Sequence, residues 1–149
     1  MRWEQTASVD VLASAATVWG VLMDAPRWGE WNDAVEWLWF EGAPRAGMLA
    51  TMKPKRMRQT AFMVEALEPE RLFCLRLRFG PVAALRLAWR LTPTEAGTCL
   101  DGGVSIDGVA AGFLKGAAVK IAAAMPATLA RLAARAADEK SATVSGRAS

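Results

Sequence analysis

The sequence predicts an α+β domain, an antiparallel meander of about seven strands covered by one long C-terminal helix. Three observations carry this. Apolar and polar residues alternate with a period of two from Trp3 to Leu12, and again through most of Val35 to Ile106. Short turn signals (Gly42–Gly47, Glu68-Pro69-Glu70, Gly80-Pro81) interrupt the alternation at close spacing, so successive strands pair as hairpins. From Val109 to about Ala137 the apolar spacing changes to three and four, which is helical.

Taken in order, Trp3, Gln5, Ala7, Val9 and Val11 form one face of the first strand. Ser14 then caps a helix over AATVWGVLMD, and Pro26 starts a short turn in which Trp28 and Trp31 share a face. VEWLWFE is a strand that is apolar on both sides apart from its acids, and GMLATMKP is a short strand ended by Pro54. RQTAFMVEALE, RLFCLRLRF, ALRLAWRLT and TCLDGGVSI complete the meander. In the last strands Phe73, Leu75, Leu87 and Trp89 point inward, while Arg76, Arg78, Arg86 and Arg90 point outward to meet acids such as Glu65 and Asp101. A meander with one apolar face must cover that face, and the C-terminal helix is the element available to do it. Its stripe is Leu114, Ala118, Ile121, Met125, Leu129, Leu132 and Ala136, and Pro126 is expected to kink or split it. Residues 1–137 read as a single domain, and 138–149, polar and small, as a disordered tail.

Composition narrows the chemistry. The chain has 149 residues, 53% of them apolar and 22% charged, with seven Trp, five Phe, no Tyr and no His. One domain is all that length supports. Without histidine there is no Ser-His-Asp triad, Cys-His pair, His-ligated zinc or imidazole acid/base. Cys74 and Cys99 fall inside strands and make neither a disulfide framework nor a thiolate cluster, so no metal site or cofactor is expected. The N-terminus lacks the layout of a signal peptide, and charges interrupt the apolar C-terminal segment. The expectation is a soluble, cytoplasmic protein in a reducing compartment, without stable membrane insertion.

Net charge is +3, unevenly spread: residues 1–41 hold two basic and seven acidic residues, and residues 42–90 hold ten basic and three acidic. Lys53, Lys55, Arg56 and Arg58 form a basic loop. It reads first as a solvated loop and second as a contact for an anionic ligand, a carrier protein or a membrane surface. With no recognition helix near it, nucleic acid is not expected as a partner.

The segment ASAATVWGVLMDAPRWGEWN, with Val18, Trp19, Leu22, Asp24, Trp28 and Trp31, resembles the START-like helix-grip superfamily, and within it the SRPBCC group of polyketide cyclase/dehydrase-type proteins. VEALEPERLFCLRLR and the long last helix extend that resemblance over residues 3–137. It implies a helix-grip fold, a curved sheet wrapped on the C-terminal helix with two short helices after the first strand. It also implies an elongated cavity for a lipid, a polyketide or another hydrophobic molecule. The Ala-rich helix (Ala117, Ala118, Ala122, Ala123, Ala124, Ala127, Ala130, Ala133, Ala134) either opens such a cavity or lets helix and sheet approach closely.

The expected ligand-binding residues are Trp28, Trp31, Trp37, Trp39, Met52, Phe62, Phe73, Leu87, Trp89, Phe113 and Met125, with Met48 a further lining residue. Indoles suit flat apolar ligands and carry an N–H to orient a polar atom. On the strand carrying Trp37 and Trp39, Leu38 and Phe40 take the opposite face, a dimer or membrane patch if exposed. Catalytic residues are not identified. Asp24, Asn32, Asp33, Glu36 and Glu41 are the polar groups nearest the expected mouth; Asp24 reads first as a helix C-terminal turn residue and Asp33 as a loop residue. The functional expectation is hydrophobic ligand binding. The alternative is a cyclase or dehydratase working by substrate orientation, with help from a carboxylate or arginine.

Overall fold

Seven alternating segments form β1 (Arg2–Val11), β2 (Val35–Phe40), β3 (Leu49–Pro54), β4 (Thr60–Glu68), β5 (Leu72–Phe79), β6 (Ala83–Pro93) and β7 (Thr98–Asp107) in the computed structural model, which describes the backbone of residues 2–148 and side chains from residue 2 to 139. Helix α1 (Ala15–Met23) and a 3-10 turn (Ala25–Glu30) separate β1 from β2, and a second 3-10 turn (Ala111–Leu114) leads into α2 (Lys115–Ala148). Ser14 caps α1 as expected, its hydroxyl accepting the Thr17 N–H at 3.2 Å.

The sheet is antiparallel throughout, in the order β1-β7-β6-β5-β4-β3-β2. β1 and β2 are therefore its opposite edges, and α1 with the first 3-10 turn carries the chain between them. Irregular pairing at Val35/Trp37 and at Val64/Ala66 helps the sheet curve.

One row across the inner face explains where α2 lies. Phe73 on β5 pairs with Trp89 on β6, Trp89 with Gly102 on β7, and Gly102 with Ala7 on β1. Bulk sits at one end of the row and small residues at the other. The helix packs on the small end, against β1, β7 and α1. A Cβ at Gly102 would lie 2.8 Å from Met125 Sδ and 3.0 Å from Leu129 Cδ2, so the absence of a side chain there sets how closely helix and sheet approach. Ala118, Ala122, Met125, Leu129, Leu132 and Ala136 are the buried stripe.

The helix differs from expectation in its bounds: it begins at Lys115 rather than Val109, and its backbone runs past Ala137 to Ala148; of the two alternatives at Pro126 it is not split there, and the side chains of 140–149 lie outside the described residues. Most of its alanines (Ala117, Ala123, Ala124, Ala127, Ala130 and Ala134) are exposed, so they do not hollow out the interior. Ala118 and Ala122 instead serve close approach. By length and composition Ala111–Glu139 also contains an 18-residue stretch apolar enough to cross a membrane, with a mean hydropathy of 1.3.

Candidate ligand-binding site

The expected residues divide between two places. Trp28, Trp31, Phe73 and Trp89 meet in one buried cluster under the sheet. The 3-10 turn delivers the first two. Gly29 lets that turn lie against β2, because a Cβ there would sit 2.5 Å from the Glu36 carbonyl oxygen. The Trp28 ring centroid is 5.0 Å from Trp31 and 5.1 Å from Trp89, and Phe73 stacks on Trp89 at 5.7 Å with an interplanar angle of 22°. Phe40 joins edge-on to Phe73 at 6.0 Å. Met52, Phe62 and Leu87 are buried on the same inner face, and Met125 meets it from α2.

β2 reverses its expected orientation. Leu38 and Phe40 face the core, while Trp37 is half-buried on the outer face and Trp39 is 53% exposed there. The strand is apolar on both faces, so its pattern gives the period but not which side is inward; pairing with β3 decides that. Leu38 and Phe40 are therefore not a free patch. Phe113 lies outside the cluster too, 61% exposed and edge-on to Phe79 at 5.4 Å. Met48 is half-buried.

The polar groups of the cluster are unevenly satisfied. The Trp28 indole N–H donates to the Leu22 carbonyl at 2.8 Å. The indole N–H groups of Trp31 and Trp89 are buried and have no hydrogen-bond partner among the described residues. An unmet buried donor costs ~1–3 kcal/mol, and two lie in one cluster.

Trp31 also lines a surface cleft of about 330 Å³, with Thr17, Gly20, Val21, Asp24, Arg27, Arg135 and Glu139. A second cleft, of about 320 Å³, lies between Ala13–Thr17 and the β6–β7 turn. Neither lies between sheet and α2, where the resemblance leads one to expect a cavity; there Met125 and Leu129 close directly on Gly102. The first cleft is crossed by ion pairs. Arg27 reaches Glu30 at 2.6 Å and Asp24 at 3.4 Å, and Arg135 of α2 bonds Glu30 and, at 3.2 Å, Glu139. Hydrogen bonds from Arg27 and then Arg135 hold the Glu30 carboxyl down at about 2, below the usual range. Arg131 pairs with Asp33 at 2.9 Å, so α2 is clipped at two points to the segment bearing Trp28 and Trp31. Sequence reasoning missed this clip. The i,i+3 spacing of Arg27 and Glu30 was visible, but their contact with Arg135 is set by the fold. Among the suggested mouth residues, Asp24 and Asp33 are tied in these pairs, Glu36 pairs with Lys53 at 3.5 Å, and Asn32 Oδ1 accepts the Ala34 N–H at 3.0 Å.

A seven-stranded sheet gripping its C-terminal helix, with an aromatic interior beside a clipped cleft, defines a START-like helix-grip protein. The chain belongs to the family described as polyketide cyclase / dehydrase and lipid transport, whose family model matches residues 2–137. No curated protein matches it. Among solved structures it is similar to protein MLL2253 from Mesorhizobium loti, with TM-score 0.70 and 17% identity over 92% of this chain and 98% of that one. It is also similar to the Zhui aromatase/cyclase from Streptomyces sp. R1128, with TM-score 0.65 and 18% identity over 91% and 94%. A third is Ara h 8.0201, with TM-score 0.68 and 6% identity over 93% and 99%. At these identities the likeness is one of fold.

Proposed function

We propose that this protein binds a flat, hydrophobic small molecule bearing a hydrogen-bond acceptor, between the inner face of the sheet and α2, as a soluble cytoplasmic domain. The observation that carries this reading is the pair of buried, unpartnered indole N–H groups of Trp31 and Trp89. A ligand carbonyl or hydroxyl oxygen that reaches either indole N–H would give that donor a partner, and the rings would give the ligand apolar surface. The rings pack together here, so binding requires them to separate. Trp31 belongs to both the cluster and the cleft, so a turn of its ring would connect the two. The family's description, which joins cyclases with lipid transport, supports the same class of ligand. A cyclase or dehydratase role ranks second, because three of the four carboxylates expected to assist, Asp24, Asp33 and Glu36, are engaged at the surface with Arg27, Arg131 and Lys53.

Two experiments test the reading. Native mass spectrometry of freshly purified protein is expected to show an adduct of defined mass, released as an apolar molecule on denaturing extraction. Calorimetry with 2-acetylnaphthalene, an aryl ketone, is expected to show binding that weakens by about 2- to 10-fold in Trp89→Phe, the worth of one hydrogen bond. No adduct together with no ketone binding would overturn it.

A further inference from the structure

The outer face of β2–β4 combines exposed apolar side chains with unneutralised cations. Trp39 pairs across the strands with Thr51, and Thr51 with Ala61; the next row sets Leu49 opposite Met63. Trp39, Leu49 and Met63 are 53%, 58% and 37% exposed. At the β3–β4 end the turn Lys55–Arg58 is exposed. It is pinned by the Lys55 N–H to the Ala34 carbonyl at 3.0 Å, with Arg56 in the left-handed region at φ 67°, and it carries Met57 at its tip, 66% exposed. From Gly42 to Val64 the chain has five cations and no acid. Lys53 meets Glu36, but Arg45, Lys55, Arg56 and Arg58 make no ion pair among the described residues. On β5, Arg76 lies opposite Met63 and adds a further cation beside the patch.

The geometry points to a docking surface for an anionic lipid membrane, with Trp39, Leu49, Met57 and Met63 entering the interface and the cations around them meeting lipid phosphates. The charge selects this occupant: a turn with three unpaired cations around exposed Met57, next to an exposed apolar strand face, repels a second copy of itself and matches a negative apolar boundary. This inference goes beyond the small-molecule reading and stands or falls without it.

Vesicle co-sedimentation with the full chain tests it. The protein is expected to bind vesicles of phosphatidylcholine containing about one quarter phosphatidylglycerol, and to be released by about 0.5 M salt. Replacing Lys55, Arg56 and Arg58 together by Gln should weaken binding on the order of 100-fold. Trp39→Ala, a surface change that leaves the fold intact, should weaken it at least about 3-fold through lost apolar contact. Lys115→Gln with Lys120→Gln, on α2, should leave it unchanged. Three results would overturn the inference. One is absent binding, or binding that ignores lipid charge and these variants. Another is a dimer in solution that Trp39→Asp dissociates, which would give the patch to a second copy. The third is capture of a short DNA duplex through the same cations without vesicle binding.

Discussion

Trp89 and Trp39 are both strand tryptophans, yet one stacks on Phe73 beneath the sheet and the other is 53% exposed on the outer face. The difference is not in the side chain. β6 alternates cleanly, with Arg86 and Arg90 on the face away from Trp89, so burying the arginines would be costly and the strand has one workable orientation. β2 offers Trp37 and Trp39 on one side and Leu38 and Phe40 on the other, and both sides tolerate burial. There the neighbours decide. Pairing of Leu38 with Met52 and of Phe40 with Ala50 continues the inner face of β3 and β4. Polar residues, more than apolar ones, fix the orientation of a strand.

The comparison is broken most forcefully by truncating a ring in each region. Trp28→Ala removes a wholly buried indole and its bond to the Leu22 carbonyl, and is expected to cost ~3–5 kcal/mol. Trp39→Ala should stay within about 0.5 kcal/mol. Urea denaturation midpoints at constant m-value separate the two, and equal losses would deny the two environments.

Smaller effects sharpen the picture of how the inner region is closed. Gly102→Ala sets a methyl against Met125 and Leu129 and should cost ~1–3 kcal/mol. If that contact is the reason, Met125→Ala in the same chain makes the two changes less than additive, and a simple sum of the single losses would rule it out.

Burial is not confined to the inner face. Cys74 is buried, and burial first, then Glu65, pushes its pKa up. Its alkylation by iodoacetamide near neutral pH should be slower than that of an unfolded cysteine by more than about tenfold. Rapid labelling of Cys74 in the folded protein would contradict this burial.

The finest effect concerns the clip on the cleft. The folded pKa of Glu30 lies below its ordinary value of 4.5, at about 2, so its contribution to stability is present above the ordinary value and is lost as pH falls toward 2. Carboxyl NMR titration should show that low midpoint, and Arg135→Met should raise it. An ordinary midpoint in the unmodified protein would mean that the clip does not form in solution.

Much of this architecture could be read from the residues. The element order, the antiparallel meander and the inward positions of Phe73, Leu75, Leu87 and Trp89 follow from alternation and turn chemistry, because arginines on the opposite face oriented those strands. The facing of β2 could not be read, for the reason given above. The alanines of α2 allowed two readings, and contact with Gly102 favours close approach, a relation between residues of different elements that no local pattern contains. The clip was equally hidden, since Glu30 and Arg135 are brought together only when α2 crosses the 3-10 turn. Of the five indoles expected to line one pocket, Trp28, Trp31 and Trp89 cluster while Trp37 and Trp39 do not, and the unequal bonding of the three N–H groups depends on where each ring comes to rest.

That inequality offers the most direct test of the ligand-binding account. In protein labelled with ¹⁵N at the indoles, with resonances assigned by single Trp→Phe variants, 2-acetylnaphthalene is added to saturation. The account predicts that the Trp31 and Trp89 N–H resonances move downfield as they gain an acceptor. Trp28, already bonded to the Leu22 carbonyl, and Trp39, on the outer face, should move little. Unmoved Trp31 and Trp89 resonances, or shifts confined to Trp37 and Trp39, would contradict it.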